Sequence, residues 1–402
     1  MLLFSALNSN LRKHYQCPPP FILMDIEGFN GKMGRVQQAT KGAFHTYEPN
    51  PLPCDITYDN ELVKILSDAL TSVGNLSGIG YRMSNPHLLI TPYLKKEAVF
   101  SSKIEGTRTT LSELFINETG EEAGEKDDVQ EVINYVNALE FGLNEIKNSS
   151  INEALIKKMH AILLTGVRGE DKDPGQYKVH QNLIGRSNDI MEADFIPASP
   201  ESVPRLMKNL YNYINEYEVE TSLIKSGILH YQFETIHPFR DGNGRIGRLL
   251  ITLYLCKTGL LSQPLLYLSA YLEKERDSYY DLLLDVSKTG NIESWLKFYL
   301  KGVTIQSNDA LERSIKLEDY KLECRQILQE KTRSLKVLQI LDRLFINPFI
   351  KIPEAAKIIG SHYPTAKSNI ATLVDLGILE EFGDRKKERI YQARTIREIL
   401  EK

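Results

Sequence analysis

The sequence predicts a mainly α-helical fold, and three observations lead to that class. Apolar residues recur with helical periodicity through long runs, of which Leu223–Tyr231 and Ile246–Leu253 are examples. Short β-prone stretches bounded by turn residues occur in only a few places, such as Val179–Gly185. The chain has 402 residues, of which 42% are hydrophobic, and this length suffices for a large core in two or three domains. We therefore expect a helical core with a β-hairpin beside it and further helical units on either side.

Four segments follow one another along the chain. Residues 1–60 are rich in proline and glycine and predict an irregular N-terminal arm. Residues 61–128 predict a helical segment that ends in a short acidic loop. Residues 129–303 form the expected core, and residues 304–402 form a separate C-terminal module. No internal repeat and no long low-complexity segment interrupts this order.

One turn in the core is suited to bind an anion. Gly242 and Gly244 flank Asn243, and such a turn can direct successive N–H groups at one point. A helix is predicted to begin near Arg245, so its dipole also favours negative charge there. Arg245 and Arg248 are neighbours on its first turn, and guanidinium groups bind phosphate oxygens well. Two cations at a helix N-terminus oppose the dipole, so an anionic ligand explains them better than stability does.

Two further groups flank this turn and suggest chemistry. Asp241 precedes the glycines and supplies the hard oxygen that Mg²⁺ prefers. His237 ends the preceding helical run, where an imidazole with a pKa near neutrality can take a proton from an incoming hydroxyl. Each residue alone has a structural explanation, but all of them at this spacing favour a site for a polyphosphate and its metal ion.

The residues from His237 to Arg248 match the Fic family signature H-P-F-x-[D/E]-G-N-G-R-x-x-R at every defined position, and the chain resembles that family. The resemblance implies a Fic-type helical core and nucleotidyl transfer, most often of AMP from ATP to a protein hydroxyl. It implies that His237 is the general base and Asp241 the ligand of Mg²⁺. It also implies that the nucleotide binds at Gly242, Asn243, Gly244, Arg245 and Arg248. Asn243, Gly244 and Arg245 would hold the α- and β-phosphates, and Arg248 the γ-phosphate.

A second motif lies upstream in the helical segment. Ser101 and Glu105 are four residues apart and share a helix face, and Gly106 is expected just past the helix end. Alone, Glu105 is best explained as a solvated surface carboxylate. The stretch nevertheless resembles the inhibitory motif [S/T]-x-x-x-E-[G/N] of Fic proteins. This resemblance implies that Glu105 pairs with Arg248 and occupies the group that should orient the γ-phosphate.

Two more regions gain a role from the resemblance. The expected hairpin corresponds to a flap that docks a target segment by strand addition, a known recognition mode; a hairpin held only for packing is the alternative. Family members also place the adenine near residues 266–284, although tyrosines at helical spacing more often belong to a core. The candidate flap residues are Asn182, Leu183, Ile184 and Gly185, and the candidate adenine residues are Tyr267, Tyr271, Tyr279 and Tyr280.

The sequence of the C-terminal module predicts a helix, a helix-turn-helix and a hairpin in that order. This order resembles that of a winged helix. Residues 331–402 contain 14 Lys and Arg against 9 Asp and Glu, in a chain whose net charge is −4. Thr365, Lys367, Ser368 and Thr372 would face a DNA groove, and the basic tip at 383–387 would meet phosphates. Because winged helices also dock proteins, DNA and protein partners both stay open.

The leading hypothesis is therefore an autoinhibited protein adenylyltransferase that uses ATP and Mg²⁺. The alternatives are removal of AMP with Glu105 aligning a water, and a DNA-binding regulator that senses a nucleotide. Family members often form dimers, so a homodimer is possible, and the target protein is not predictable. We expect a cytoplasmic location, because four scattered cysteines, no secretion signal and no membrane-spanning run are found.

Overall fold

The predicted mainly α-helical class is confirmed by the structure of the chain. This computed structural model describes residues 28–29, 31–39, 44–82, 87–185, 193–218, 220–332, 334–383 and 389–401. These residues form fifteen helices and two small antiparallel sheets. Within these ranges, no helix combines the length and the apolar character that crossing a membrane requires.

The helices divide into an N-terminal group, a central group and a C-terminal group. The N-terminal helices are α1 (Asn60–Arg82), α2 (His87–Ile104) and α3 (Leu111–Glu118). The central helices are α4 (Lys126–Glu145), α5 (Glu153–Leu163), α6 (Val203–Glu216), α7 (Ser222–Ile236), α8 (Asn243–Lys257), α9 (Ser269–Lys274) and α10 (Arg276–Thr289). The C-terminal helices are α11 (Ile292–Lys331), α12 (Leu335–Ile346), α13 (Ile352–Ile358), α14 (Tyr363–Asp375) and α15 (Arg394–Glu401).

Helices α7 and α8 form the centre of the fold. Nearly every side of α7 is buried, as is typical of a helix enclosed by its neighbours. Gly227 permits a close approach of α11, because an added Cβ would lie 2.9 Å from Leu296 Cδ2. Trp295 of α11 donates its indole N–H to the Gly227 carbonyl at 2.9 Å. The segment between α7 and α8, which holds the first six residues of the signature, is therefore supported by a rigid core.

The expectation of an irregular N-terminal arm is wrong for the described part of residues 1–60. Strands β1 (Gly34–Gln38) and β2 (His45–Pro49) pair antiparallel, with Val36 opposite Tyr47. Tyr47 is fully buried, and its N–H donates to the Ile196 carbonyl at 2.8 Å. The strands were missed because their side chains alternate only weakly and are stabilised by contacts with a distant segment of the chain.

The C-terminal module follows the predicted order of elements with two additions, a strand before α13 and the final helix α15. Strands β3 (Phe349–Lys351), β4 (Glu380–Phe382) and β5 (Ile390–Gln392) form one sheet, with β5 in the middle. Residues 384–387 of the expected basic tip lie outside the described residues. Helix α11 runs without a break through the predicted boundary at 303/304, so the core and the module share a helix. The assignment as a winged helix stays a prediction.

The C-terminal module also packs against α2, the helix that leads to Glu105. Lys96 of α2 donates to the Leu400 carbonyl of α15 at 3.0 Å. Asn347, at the end of α12, donates to the Phe115 carbonyl and to Glu118 Oε2 of α3, each at 2.9 Å. The position of α2 is therefore fixed by the core on one side and by this module on the other.

Candidate active site

His237 stands at the end of α7 in a conformation suited to a general base. It caps the helix with φ 51° and ψ 62°, in the left-handed region that few residues other than glycine adopt. Its Nδ1 lies 3.2 Å from the Glu234 carbonyl, which can only accept a hydrogen bond. Nδ1 therefore carries the proton and Nε2 keeps its lone pair. Burial lowers the pKa of His237 to about 3, below the near-neutral value expected from the sequence, so the imidazole is neutral at pH 7 and its Nε2 can accept a hydrogen bond.

The turn that follows is built around Asn243 and Gly242. Asn243 Oδ1 accepts from the Phe239 N–H, and its Nδ2 donates to the Phe239 carbonyl, both at 2.8 Å. Gly242 has φ 75° and caps the N-terminus of α8. The Asn243 side chain thus holds the loop together. Helix α8 begins at Asn243, two residues before the predicted start at Arg245, and the N–H groups of its first turn have no partner within the helix.

Asp241 offers one oxygen donor group at the edge of this turn. Its side chain is 37% exposed, Oδ1 accepts from the Gly242 N–H at 2.6 Å, and Arg245 Nη2 lies 3.7 Å away. Throughout the described ranges, no cluster of three or more His, Cys, Asp or Glu side chains could hold a metal ion. Mg²⁺ often binds proteins through a single carboxylate and completes its shell with phosphate and water. The residues present fit a metal ion that arrives with a nucleotide.

His160 of α5 supports the same turn from outside. Its Nε2 lies 2.9 Å from the Asp241 carbonyl, and its Nδ1 accepts from the Gly175 N–H at 2.8 Å. The ring stacks on Phe239 with the ring centres 3.8 Å apart. Burial lowers the pKa of His160 to about 4, which keeps this pattern of donor and acceptor intact.

Arg245 is buried and is held by a carboxylate that the sequence analysis missed. Its Nη1 lies 2.8 Å from Glu131 Oε2 of α4, and both side chains are almost fully buried. Arg168 also reaches Glu131, at 3.4 Å, and donates to the Glu105 carbonyl at 3.3 Å. Glu131 lies on α4 outside any motif, and its burial depends on how α4 packs on α8, so the sequence held no local signal for it.

Arg248 is bound on one side by the end of α2. Its Nε donates to Ser101 Oγ at 2.8 Å, and its Nη2 donates to the Ser101 carbonyl at 2.9 Å. Nη2 also lies 2.6 Å from Glu105 Oε1. Nη1 is buried without a hydrogen-bond partner among the described residues. The two residues that the sequence analysis expects to pair, 143 positions apart, thus lie in direct contact.

The shifts in the pKa of Glu105 and of Arg248 both indicate that the pair is ionised. Burial alone would raise the pKa of Glu105, but the charge of Arg248 outweighs it and lowers that pKa. Burial would likewise lower the pKa of Arg248, and Glu105 outweighs it and raises that pKa. Gly106 has φ 103°, and a side chain at Gly244 would collide with Glu105 Oε1. The carboxylate of Glu105 therefore reaches Arg248 past Gly244, where only a glycine leaves enough room.

A second carboxylate, Glu234, lies close to this pair. It stands one turn before His237 on α7, and burial raises its pKa to about 8. Its Oε1 is buried without a hydrogen-bond partner among the described residues. Glu234 is not among the predicted site residues, although a glutamate in an apolar helix one turn before the motif was a usable signal. A neutral Glu234 leaves the charge of Arg248 to be balanced by Glu105.

The candidate flap residues lie beside the loop between α7 and α8, residues 237–242, which is called the motif loop below. Asn182 Nδ2 donates to the Phe239 carbonyl at 2.7 Å. Ile184 pairs with Phe195 through two main-chain hydrogen bonds of 2.9 and 3.0 Å, while Leu183 packs near them and Gly185 has φ 147°. The expected polar turn at 186–192 lies outside the described residues. One antiparallel pair of residues thus represents the hairpin in the described part of the chain.

The four candidate tyrosines separate into two pairs. Tyr279 is buried and hydrogen-bonded to His230 Nε2 at 2.8 Å, and Tyr280 is 39% exposed with Arg276 over its ring. Burial raises the pKa of both phenols and the charge of Arg248 lowers it, so these two tyrosines lie near that arginine. Tyr267 instead bonds to Asp309, and Tyr271 packs on Phe298, both of α11.

We expect the buried His230 to make the stability of the protein depend on pH. Burial lowers its pKa from 6.5 to about 3, so the unfolded chain binds a proton that the folded protein rejects. The stabilisation that results from this difference in pKa is fully present above pH 6.5 and is lost as the pH falls towards 3. Between pH 7 and pH 5 the loss amounts to roughly 2 kcal/mol of unfolding free energy. Urea denaturation of wild type and His230→Phe measures it. The variant is expected to lose less stability over this range, and an equal loss in both proteins would contradict the assignment.

Comparisons with known proteins agree with this fold and site. Residues 63–144 match the family model for the Fic/DOC family N-terminal region, and residues 150–255 match the model for the Fic/DOC family. The first range contains Glu105, and the second contains the whole stretch from His237 to Arg248. The chain therefore contains a Fic N-terminal domain and a Fic domain.

Two relatives and one solved structure show how far the similarity extends. A probable protein adenylyltransferase of Aquifex aeolicus is 26% identical over 314 residues, which cover 77% of this chain and 88% of the relative. A protein adenylyltransferase of Caenorhabditis elegans is 28% identical over 161 residues, which cover 37% of this chain but only 30% of the relative. A crystal structure of a Fic family protein from Desulfovibrio desulfuricans G20 has a TM-score of 0.55 at 21% identity. That match covers 84% of this chain and 97% of the other, and it supports the fold alone.

Proposed function

We propose that this nucleotidyltransferase of the Fic family transfers AMP from ATP to a Ser, Thr or Tyr hydroxyl, and that Glu105 restrains it. The acceptor is a target protein or the chain itself. One observation carries the proposal. A neutral imidazole with an open Nε2 stands directly before a helix N-terminus that carries two buried arginines. The printed names of the relatives, protein adenylyltransferases, support the same activity.

The geometry supports an in-line displacement at the α-phosphate. The hydroxyl proton passes to Nε2 of His237, and the hydroxyl oxygen forms a bond to the α-phosphorus. The bond from that phosphorus to the bridging oxygen breaks, and pyrophosphate leaves. The N–H groups at the start of α8 and the guanidinium group of Arg245 stabilise the charge that develops on the phosphate oxygens. Asp241 would hold Mg²⁺, which neutralises phosphate charge when bound.

The ion pair of Glu105 and Arg248 supports the proposed restraint. Arg248 is the second arginine of α8 and lies one turn along the helix from Arg245, so it suits the far end of a triphosphate. In the present arrangement Glu105 and Ser101 occupy its Nη2 and Nε. A γ-phosphate that lacks this partner leaves the α-phosphate poorly aligned with His237, and misalignment costs rate steeply.

Labelled ATP tests the proposed reaction directly. Because AMP moves, label at the α-phosphate is expected on protein, whereas label at the γ-phosphate is expected only in pyrophosphate. Chelation of Mg²⁺ with EDTA is expected to abolish the transfer, and added Mg²⁺ should restore it. Gel autoradiography and mass spectrometry of the modified hydroxyl are the measurements. Transfer of the γ-label to protein would indicate a kinase and contradict the proposal.

A further inference from the structure

Lys178 is a buried lysine at the base of the flap. Its side chain is 2% exposed, and its ammonium donates to Asn182 Oδ1 at 2.7 Å and to the Ile236 carbonyl at 3.5 Å. No carboxylate pairs with it within the part of the chain that the structure describes. Burial lowers its pKa well below the usual range of a lysine. A buried amine without a counter-ion is costly, so packing alone is a poor reason for a lysine here.

Lys178 and Asn182 together bind the main chain around His237. The Lys178 N–H donates to the Pro238 carbonyl at 2.8 Å. Asn182 Nδ2 donates to the Phe239 carbonyl at 2.7 Å and lies 3.4 Å from the His237 carbonyl. With the bond from the Lys178 ammonium, these two residues reach four successive carbonyl groups, from Ile236 to Phe239.

The bound segment holds a strained conformation. His237 is one of two described residues other than glycine with a positive φ, and the other, Asp173, is far from the signature in sequence. Such a conformation persists only where the surrounding structure imposes it. It also turns the chain between α7 and α8, so it decides where the imidazole lies. The contacts from Lys178 and Asn182 are therefore made at the place where the orientation of His237 is set.

We propose that Lys178 and Asn182 are positioning residues for the transfer reaction, which hold the main chain of His237 in its left-handed conformation and so aim its imidazole. This inference rests on the proposed function. It gives Asn182 a role towards the motif loop, in addition to the docking of a target that the flap implies. It also links the flap to the general base through one buried amine.

The rate of AMP transfer by variants tests this role. The substitutions are made in wild type or in Glu105→Gly, whichever transfers AMP faster. Lys178→Met keeps the length of the side chain and removes its donors. We expect kcat for AMP transfer to fall between about 10- and 100-fold, because a small misplacement of the base is costly. The Kd for ATP, measured by calorimetry, is expected to change less than about twofold. Lys178→Arg restores the donors and is expected to recover most of the lost rate.

Asn182→Ala and a matched control complete the test. Because both residues act on one loop, the double variant is expected to have a kcat only slightly lower than that of Lys178→Met or Asn182→Ala alone. The control is Lys158→Met, which removes an exposed lysine of α5 and should leave the rate unchanged. An unchanged kcat in Lys178→Met, or effects of the two variants that multiply fully, would overturn the proposal.

A measurement without turnover separates this inference from the proposed function. The ¹H–¹³C spectrum of the His237 imidazole in the nucleotide-free protein reports its environment directly. Lys178→Met and Asn182→Ala are expected to shift or broaden that signal, whereas Lys158→Met is not. If wild type and Glu105→Gly transfer no AMP but the signal moves as expected, the positioning role stands and the proposed function fails. An unmoved signal overturns the positioning role.

Discussion

Replacement of His237 by alanine is expected to abolish AMP transfer while ATP still binds. The variant loses the ring nitrogen that takes the hydroxyl proton in the proposed reaction, and a general base contributes about 10²- to 10⁴-fold to the rate. The binding groups for the phosphates, the N-terminus of α8 and its arginines, stay in place. Transfer of the α-label measures the rate, and calorimetry with ATP and Mg²⁺ measures the affinity.

A matched control separates the role of the base from the general loss of a histidine. His362, exposed just before α14, is replaced by alanine in the same way and is expected to leave the rate unchanged. A His237→Ala protein that transfers AMP at the wild-type rate would exclude His237 as the base. A variant that has lost ATP binding as well would show that the imidazole contributes to the site and not only to proton transfer.

Replacement of Glu105 by glycine is expected to raise AMP transfer by about 10- to 100-fold, the cost of a misaligned phosphate. Without the carboxylate, the Nη2 of Arg248 keeps its bond to the Ser101 carbonyl and is free of its ion pair. A γ-phosphate can then take that place, and the α-phosphate moves into line with His237. The rise should be seen with the α-label on the chain itself or on a target protein.

The same variant distinguishes addition of AMP from its removal. If the enzyme mainly removes AMP and Glu105 aligns the attacking water, Glu105→Gly is expected to abolish activity on a modified target instead of raising transfer. Glu122→Gly, in the exposed loop between α3 and α4, is the control for loss of a glutamate from a loop. A Glu105→Gly protein that both transfers and removes AMP at the wild-type rates would rule out both roles.

Much of the candidate site was predictable because its chemistry is local. His237, Asp241 and Arg248 lie within twelve consecutive residues, and the glycines between them force a turn whatever surrounds it. The apolar periodicity of α7 and α8 likewise follows from the helix repeat alone. The pairing of Arg248 with Glu105 was expected only through a resemblance, and the structure places the two side chains in contact.

The remaining parts of the site were not predictable from local pattern. Glu131 and Lys178 are charged residues in segments with no motif of their own, and their burial depends on how α4 and the flap pack on α8 and the motif loop. The hairpin of β1 and β2 was missed for a related reason. Its Tyr47 is buried by Ile196 and Phe195, which are about 150 positions away in the sequence.

The sequence by itself determined the helical class of this protein, its family signature and the residues that we propose to bind phosphate. Those features depend on φ and ψ preferences, side-chain chemistry and helix periodicity, which act over a few residues. Only the tertiary structure decided the tautomer of His237, the burial of its supporting groups and the occupation of Arg248. These depend on desolvation and on hydrogen bonds between segments far apart in the chain, and such terms exist only once the helices have packed.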